Sequence, residues 1–222
     1  MNLQGGDNDI SKDLYEITFI YITEGNSVLN FGCGNRFNFE KNLARVKNVS
    51  MTSIDIIEIK EKPEFIGEFL NKSVEEDILL EKKFDVVTFF ELIEHIDKTD
   101  ILLKNCFRNL KSGGYFIFSF PNLASFHGRL SLLLGLQPCV LEVSNESAKF
   151  GRGFLDRFFS GKKSSGKTIH HIRGITHGAM KDMVEYHGFD IEKIIGFDHR
   201  FGGLFRYFPG VAPVNIFICR KK

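Results

Sequence analysis

The most informative run of this sequence is Leu29-Asn30-Phe31-Gly32-Cys33-Gly34, in which apolar residues lead directly into two glycines. The residues from Ser27 to Phe31 predict a short, buried strand. Glycine has no Cβ, so Gly32 and Gly34 permit a turn with positive φ and let the backbone approach a ligand closely. The third glycine of a dinucleotide-binding turn is missing, because Phe37 stands at its position. The glycine pair alone therefore predicts a strand and a tight turn, and leaves the ligand open.

Short apolar runs rich in Val, Ile and Phe alternate with helical patterns around this turn, which is typical of an α/β fold with a parallel sheet. Further strands are predicted at Val49–Ile54, Glu64–Gly67, Phe84–Phe89, Gly114–Phe120, Ile191–Ile195 and Val214–Cys219. Helices are predicted over Asp97–Leu110 and from Thr176 to His187, where Gly188 ends the second one.

Composition places limits on the class of protein. The 222 residues are 43% hydrophobic, which suits one globular domain over residues 1–222. A formal net charge of +1 gives no overall attraction to nucleic acid, so no nucleic-acid partner is expected. The cysteines lack Cys-x-x-Cys spacing, and no metal ligand is predicted. No run approaches a membrane span and the first residues do not look like a secretory signal, so a cytoplasmic location is expected.

Two acidic residues follow the glycine turn at informative positions. Asp55 ends the second predicted strand, one βαβ unit after Asn30, where a carboxylate can accept hydrogen bonds from both hydroxyls of a ribose. Asp85 opens the run Phe84-Asp85-Val86-Val87-Thr88-Phe89-Phe90-Glu91-Leu92-Ile93-Glu94-His95-Ile96, which leads through a buried strand into an acidic turn.

Residues 27–122 together resemble the small-molecule branch of class I S-adenosylmethionine-dependent methyltransferases. The hallmarks of that family are Val-Leu-Asp-x-Gly-Cys-Gly, Phe-Asp-x-Val and Leu-Glu-His. The run Leu110-Lys111-Ser112-Gly113-Gly114 and the run Phe120-Pro121-Asn122 are similar to further family motifs. The resemblance implies a Rossmann-like, seven-stranded sheet with the last strand antiparallel, flanked by helices. It implies S-adenosyl-L-methionine as the cofactor, bound at the carboxyl ends of the first strands, in agreement with the switch-point rule.

The cofactor-binding residues that the resemblance implies are Asn30, Gly32, Gly34, Asp55, Glu68, Phe90 and Glu91. The two glycines would approach the methionine part, and Asp55 would hold the ribose. Glu68 falls where the family often places an acid near adenine, with a solvated surface carboxylate as the alternative. Phe90 and Glu91 would lie beside the methyl-bearing end. For Asp85, the resemblance implies bonds to the backbone that support the fold.

Two residues depart from the family pattern. Asn30 replaces the usual acid, and Arg36 stands at the third glycine. Asparagine accepts hydrogen bonds but lacks the charge that complements the cofactor's ammonium and sulfonium groups. The main expectation is an active methyltransferase; the alternative is a catalytically degenerate, cofactor-binding scaffold or regulatory protein. The alternative predicts weak cofactor binding that Asn30→Asp would change sharply.

Methyl transfer to a hydroxyl requires a base, and two histidines are candidates. His95 follows the central strand, and histidine as a residue type ionises near neutrality; a structural, packed histidine is the alternative for His95. His171, next to His170, precedes Arg173 in a segment that the fold would bring near the substrate mouth; an exposed loop histidine is the alternative. Glu91 could orient the substrate, although acidic residues at helix starts are common.

A long insertion, residues 123–170, follows Asn122 and is expected to shape the substrate pocket. It begins with an apolar helical stretch, Phe126 to Leu134. Later, between residues 150 and 167, apolar side chains adjoin five basic ones, namely Arg152, Arg157, Lys162, Lys163 and Lys167. The pattern favours either a peripheral membrane contact through residues 126–167 or a lid with solvated lysines.

The acceptor is expected to be a small molecule. A hydroxyl of a saccharide or lipid-linked saccharide is the first choice and a quinone-type phenol the second, because the insertion also resembles methyltransferases found among enzymes that build cell-surface glycans. The oligomeric state is not predicted.

Overall fold

The computed structural model describes residues 10–153, 168, 170–198 and 202–222. Within these residues, the strands are β1 (Ser27–Phe31), β2 (Ser50–Asp55), β3 (Glu68–Asn71), β4 (Phe84–Phe90), β5 (Leu110–Pro121), β6 (Phe189–Phe197) and β7 (Val214–Lys221). The α-helices are α1 (Ile10–Phe19), α2 (Asn38–Val46), α3 (Thr99–Asn109), α4 (Phe126–Leu133) and α5 (His177–Tyr186). Short 3₁₀ helices cover Ile93–His95, Gly202–Tyr207 and Pro209–Val211.

The strands form one sheet in the order β3-β2-β1-β4-β5-β7-β6. β7 runs antiparallel to both of its neighbours, and the other strands run parallel to one another. The predicted Rossmann-like sheet with an antiparallel last strand is therefore confirmed. The strand order reverses between β1 and β4, so the carboxyl ends of these strands border the crevice in which such sheets bind ligands.

The third strand was predicted in the wrong place. Glu64–Gly67 forms a turn, in which the Ile66 N–H donates to the Pro63 carbonyl at 3.0 Å, and the strand begins only at Glu68. Ile66 is fully buried, so the apolar signal marks a residue that anchors the turn in the core. Gly67 closes against β2, because its N–H donates to the Met51 carbonyl at 3.0 Å.

Phenylalanine dominates the core on one face of the sheet. Phe116 and Phe118 alternate along β5 with their ring centroids 4.7 Å apart, and Phe118 stacks on Phe217 of β7 at 5.2 Å. All three side chains are fully buried. Such aromatic pairs add to the stability that their burial provides. The result is a rigid platform beneath the loops that follow the strands.

Asp85 joins the amino ends of three strands. Its Oδ2 accepts hydrogen bonds from the main-chain N–H of Ser27 at 2.9 Å and from the Ser27 hydroxyl at 2.8 Å. Its Oδ1 pairs with Lys111 Nζ at 2.7 Å. Burial alone would raise the pKa of Asp85, but the hydrogen bonds from Lys111 and Ser27 hold it below its ordinary value. The structural role that the resemblance implies for Asp85 is confirmed.

No helix among the described residues has both the length and the apolar character that crossing a membrane requires. Of the basic residues in the insertion, Arg157, Lys162, Lys163 and Lys167 lie outside the described residues. Arg152 was expected to belong to a solvated or lipid-facing cluster, but it is only 8% exposed. Its Nη2 donates to the Cys139 carbonyl at 3.1 Å and lies 3.8 Å from Glu142 Oε1, so it braces the insertion internally.

Asp85→Ala is expected to lower the free energy of unfolding by about 2 kcal/mol at neutral pH, because Ser27 and Lys111 lose a charged acceptor. The loss should shrink as the pH falls through the lowered pKa of Asp85, where the wild-type carboxylate becomes protonated. Urea unfolding at neutral and acidic pH measures both effects. Asp190→Ala is the control, because the ion pair of Asp190 with Lys222 is exposed and screened by solvent, so its loss should have little effect on stability. Equal losses in the two variants would contradict this role.

Candidate active site

The glycine turn follows β1 as predicted, with φ of 71° at Gly32 and 62° at Gly34. The Gly32 N–H donates to the Ile54 carbonyl at 2.8 Å, which fixes the turn against β2. A Cβ on Gly32 would lie 2.8 Å from Leu92 Cδ1, whereas a Cβ on Gly34 would meet no atom within 4 Å. Gly32 is therefore required by close packing, and Gly34 leaves open space where a ligand can approach.

Asp55 lies beside this turn at the end of β2. Its Oδ2 accepts a hydrogen bond from the Gly34 N–H at 2.8 Å, and its Oδ1 accepts one from the Ile57 N–H at 3.1 Å. A carboxylate offers about four acceptor sites in all, so both oxygens can still accept hydrogen bonds from hydroxyl groups. The structure thus brings Asp55 and the two glycines together.

Glu68 is not brought to this turn. In the register of β2 and β3, Glu68 is opposite Thr52, whereas Asp55 is opposite Asn71. Glu68 therefore lies three residues, about 10 Å, back along the strand from the ligand-facing edge. Its carboxylate accepts from the Thr52 hydroxyl at 3.4 Å and lies 3.7 Å from Lys82 Nζ. Glu68 lies there because β3 begins later than predicted. The residue opposite Asp55 is therefore Asn71, at the position where the sequence predicted an acid.

A buried polar network underlies the turn. The Asn30 Nδ2 donates to Glu40 Oε1 at 2.7 Å, and its Oδ1 accepts from the Thr88 hydroxyl at 2.9 Å. The Ser53 hydroxyl also donates to Glu40 Oε1, at 2.8 Å. Glu40 is fully buried, and within the described part of the chain its Oε2 meets no hydrogen-bond partner. Burial raises the pKa of Glu40, while the hydrogen bonds from Asn30 and Ser53 lower it.

Glu40 was missed by the sequence analysis, although it changes the interpretation of Asn30. The acid that the family carries at position 30 has a counterpart on the first turn of α2. An aspartate at position 30 would face the Glu40 carboxylate within hydrogen-bond distance, and one of the two groups would have to bind a proton. The available signal was Glu40 itself, an acid next to Phe39 on the apolar side of a strongly amphipathic helix.

Phe90 and Glu91 end β4 on the opposite side of the turn. The Phe90 ring lies 5.1 Å from that of Tyr15 and 4.9 Å from that of Phe39. Glu91 has a φ of 47°, and its Oε1 accepts from the Ser119 hydroxyl at 2.9 Å. Desolvation by nearby protein atoms raises the pKa of the Glu91 carboxyl group to about 7 although the residue as a whole is exposed, and the hydrogen bond from Ser119 opposes the rise.

Tyr15 of α1 is a second residue that sequence analysis missed. Burial, followed by the nearby carboxylates of Glu40 and Glu91, raises its pKa to about 12. The hydroxyl therefore stays protonated and lies in the field of both acids. Helix α1 thus closes one side of the region between the glycine turn and the end of β4.

The two predicted histidines, His95 and His171, lie together. Their ring centroids are 4.8 Å apart. The segment after His170 docks on the turn after β4, because the N–H groups of Ile172 and Arg173 both donate to the Glu94 carbonyl, at 3.0 and 3.1 Å. His171 is therefore held by its backbone beside the central strand.

Backbone carbonyls fix the proton positions on both rings. His95 Nδ1 lies 3.1 Å from the His170 carbonyl, and His171 Nδ1 lies 3.0 Å from the Val140 carbonyl. A carbonyl oxygen only accepts, so each Nδ1 donates and each neutral ring carries its lone pair on Nε2. Burial lowers the pKa of His171, although its bond to Val140 opposes the change. His171 is thus neutral at neutral pH and can accept a proton.

Glu94 faces both Nε2 atoms. Its Oε1 lies 3.9 Å from Nε2 of His95 and 3.7 Å from Nε2 of His171. Glu94 is 1% exposed, and neither carboxyl oxygen meets a hydrogen-bond partner among the described residues. Burial, followed by repulsion from Glu91, raises the pKa of Glu94 to about 9, so this carboxyl group is protonated at neutral pH.

The ligand atoms of Glu94, His95 and His171 all lie within 4.8 Å of one another. Imidazole Nε2 atoms whose Nδ1 donates to a carbonyl, together with a carboxylate, form a donor set that could hold a divalent cation. The same atoms can bind and release a proton. No metal ligand was predicted from the sequence.

The fold and the site define a class I S-adenosylmethionine-dependent methyltransferase domain, as the sequence resemblance implies. Residues 11–194 match a family described as a methyltransferase domain, and the chain belongs to that family. Its cofactor is S-adenosylmethionine. The site fits this group, because Gly34 leaves open space beside the turn and Asp55 retains capacity to accept hydrogen bonds from hydroxyls.

Curated relatives match over part of their length. A ubiquinone biosynthesis O-methyltransferase of Coxiella burnetii is 31% identical over 120 residues, covering 51% of this chain and 51% of the relative. The mitochondrial enzyme of the same name from Candida albicans is 32% identical over 107 residues, covering 43% of this chain and 32% of the relative. The chain thus spans about half or less of these relatives.

Solved structures share the fold at lower identity. An S-adenosylmethionine-dependent methyltransferase from Archaeoglobus fulgidus has a TM-score of 0.62 and 18% identity, covering 97% of this chain and 95% of that one. The [4+2]-cyclase SpnF has a TM-score of 0.62 and 14% identity, covering 100% of this chain and 85% of that one. A cyclase with this fold means that the fold alone does not determine the reaction.

Glu94→Gln is expected to change how stability depends on pH. The folded wild-type chain holds the Glu94 proton up to a pKa of about 9, whereas the unfolded chain releases it near the ordinary value of 4.5. The free energy of unfolding should therefore fall as the pH rises through this window. Glutamine cannot ionise, so the stability of the variant relative to wild type should rise by about 3 kcal/mol between about pH 5 and pH 8.

Chemical denaturation across this pH range measures the effect. Glu192→Gln is the matched control, because Glu192 is an exposed glutamate paired with Arg220. Parallel pH curves for wild type and Glu94→Gln would show that Glu94 is ionised in the folded chain.

Proposed function

We propose that this domain transfers the methyl group of S-adenosylmethionine to a hydroxyl oxygen of a small molecule. The observation that carries the proposal is the arrangement of His95 and His171, each with its Nδ1 at a carbonyl and its Nε2 lone pair beside Glu94. A hydroxyl must lose its proton when it is methylated, and a neutral imidazole is suited to accept it. The names of the curated relatives also specify O-methylation.

The cofactor, when bound, supplies an electrophilic methyl group on a sulfonium. Transfer of this methyl group to the acceptor oxygen would release S-adenosylhomocysteine, because the electron pair of the broken carbon–sulfur bond would stay on sulfur. His171 takes the hydroxyl proton on Nε2, with His95 as the neighbouring base. The Glu94 carboxyl group, which is protonated at neutral pH, has its Oε1 3.7 Å from Nε2 of His171, where it can orient the ring but adds no negative charge. Positioning of donor and acceptor supplies most of the remaining acceleration.

The proposed cofactor contacts follow the geometry. The group consists of Asn30, Gly32, Gly34, Asp55, Phe90 and Glu91, with Tyr15 added from α1. Glu68 is left out because of its place on β3. The Asn30–Glu40 pair supports activity over the degenerate-scaffold alternative, because a buried acid is retained beneath the turn.

For the acceptor, we propose an aromatic hydroxyl ahead of the saccharide hydroxyl expected from the sequence. The relatives are named for ubiquinone biosynthesis, which favours a quinone-type phenol. A phenol is more acidic than a sugar hydroxyl, so a single histidine can assist its ionisation. Saccharide and lipid-linked saccharide acceptors are the second group to test.

Calorimetric titration should show micromolar binding of S-adenosylmethionine and of S-adenosylhomocysteine. Asp55→Ala should weaken both at least about tenfold, because it removes a charged acceptor of hydrogen bonds from the ribose and releases the Gly34 turn. Glu68→Ala is the matched control and should leave both affinities unchanged. No binding by folded wild-type protein would contradict the proposal and favour the scaffold.

His171→Ala is expected to lower kcat for methylation of phenolic acceptors by about a hundredfold, while cofactor affinity stays within about twofold. Because the pKa of His171 is lowered, wild-type activity should persist at a pH where an ordinary histidine is protonated. Initial rates across a pH series, for wild type, His171→Ala and His95→Ala, measure this. Full activity of both variants would exclude the histidines as the base.

A further inference from the structure

Helix α4 has an inverted distribution of polar and apolar residues. The residues of α4 that are buried are His127, Gly128 and Ser131. A Cβ on Gly128 would lie 2.0 Å from the Leu123 carbonyl oxygen, so this side of the helix has room only for glycine beside the turn that precedes it. Large apolar side chains project on the other side, with exposures of 53% for Phe126, 59% for Leu132 and 82% for Leu133. A surface helix of a soluble protein normally shows the opposite pattern.

A second exposed apolar segment lies next to α4. The 3₁₀ helix Gly202–Tyr207 and the residue after it expose Leu204, Tyr207 and Phe208, at 61%, 82% and 61%. Arg129 connects α4 to the 3₁₀ helix Pro209–Val211, which follows Phe208, because its Nη2 donates to the Gly210 carbonyl at 3.5 Å. We call Phe126, Leu132, Leu133, Leu204, Tyr207 and Phe208 the apolar surface.

The Lys, Arg, Asp and Glu residues within the two segments of the apolar surface are of one sign. Residues 123–141 and 202–213 contain Arg129 and Arg206 but no Asp or Glu, although the whole chain carries 28 acidic residues. A surface that combines exposed leucine and aromatic side chains with cations is complementary to a bilayer that bears anionic headgroups. Acidic side chains would oppose such a contact, and they are missing from both segments.

The apolar surface lies at the end of the sheet where the parallel strands finish, which is also the end that carries the candidate active site. β5 ends at Pro121, a few residues before α4 begins, and Pro121 pairs with Val214 at the start of β7. The 3₁₀ helix precedes that same end of β7. The turns after β1 and β4 also leave the sheet at this end. The apolar surface and the candidate active site therefore open toward the same end of the domain.

We propose that the apolar surface docks this domain onto an anionic lipid bilayer. Leu133 and the aromatic side chains enter the region between headgroups and acyl chains, while Arg129 and Arg206 remain at the level of the phosphates. The contact is peripheral. It deepens the proposed function by presenting the site to acceptors dissolved in the bilayer, and in that respect it rests on the proposed function; the docking itself does not.

Flotation of the full chain with vesicles tests the proposal. The chain should float with vesicles of phosphatidylcholine and phosphatidylglycerol, less with phosphatidylcholine alone, and less at high salt. The double substitution Leu133→Glu, Tyr207→Glu should lower binding to the anionic vesicles at least about tenfold, because two apolar contacts are lost and two anions are added. Thermal unfolding monitored by circular dichroism shows whether each variant is folded.

Tyr186→Glu and Leu79→Glu are the matched controls. Tyr186 is 84% exposed and Leu79 is 66% exposed. Both lie toward the opposite end of the strands, because Tyr186 precedes β6 and Leu79 precedes β4. Both variants should float like wild type. The proposal is overturned if wild type does not float with anionic vesicles, or if these controls lose binding as much as the double variant. It is also overturned if light scattering shows a dimer that Leu133→Glu dissociates while flotation is unchanged.

The docking and the proposed function fail separately. Loss of flotation with intact cofactor binding and methyl transfer would reject only the bilayer. Intact flotation with no methyl transfer to any acceptor would reject only the proposed function.

Discussion

The hydrogen bond between Asn30 and Glu40 holds the candidate active site together. It joins the end of β1 to the first turn of α2, and the same two side chains reach β4 through Thr88 and β2 through Ser53. Four elements are thereby fixed at the point where the glycine turn leaves the sheet. A network of this kind stabilises the fold only when its members have partners. Oε2 of Glu40 belongs to this network but meets no hydrogen-bond partner among the described residues.

The fold could be predicted where apolar pattern and turn chemistry agree. β1 and its turn follow from an apolar run that meets Gly32 and Gly34. β3 failed because its own residues, Glu68 to Asn71, alternate weakly at the sheet edge, while the fully buried Ile66 gave a stronger apolar signal in the preceding turn. A buried turn residue and a buried strand residue cannot be told apart by hydropathy. Because β3 begins later than predicted, Glu68, the acid expected near adenine, lies back along the strand from the glycine turn.

The candidate site could be predicted in part, for a different reason. His95 and His171 were identified by residue type, but nothing in the spacing indicated that they would share Glu94. That contact depends on two N–H groups that return the chain to one carbonyl after a long insertion. Tyr15 and Glu40 were missed because each is an ordinary residue of an amphipathic helix until the helix is placed against β4 or β1.

The main chain of His171 is held in place independently of the side chains of the insertion that precedes it. The bonds that place it run from the N–H groups of Ile172 and Arg173 to the Glu94 carbonyl, and main-chain bonds of this kind do not require particular side chains. The main-chain position of His171 therefore does not depend on the side chains of residues 123–169, whereas the orientation of its ring depends on one carbonyl there, that of Val140. Within one family, such a segment can diverge in sequence as long as one backbone carbonyl is kept beside the ring.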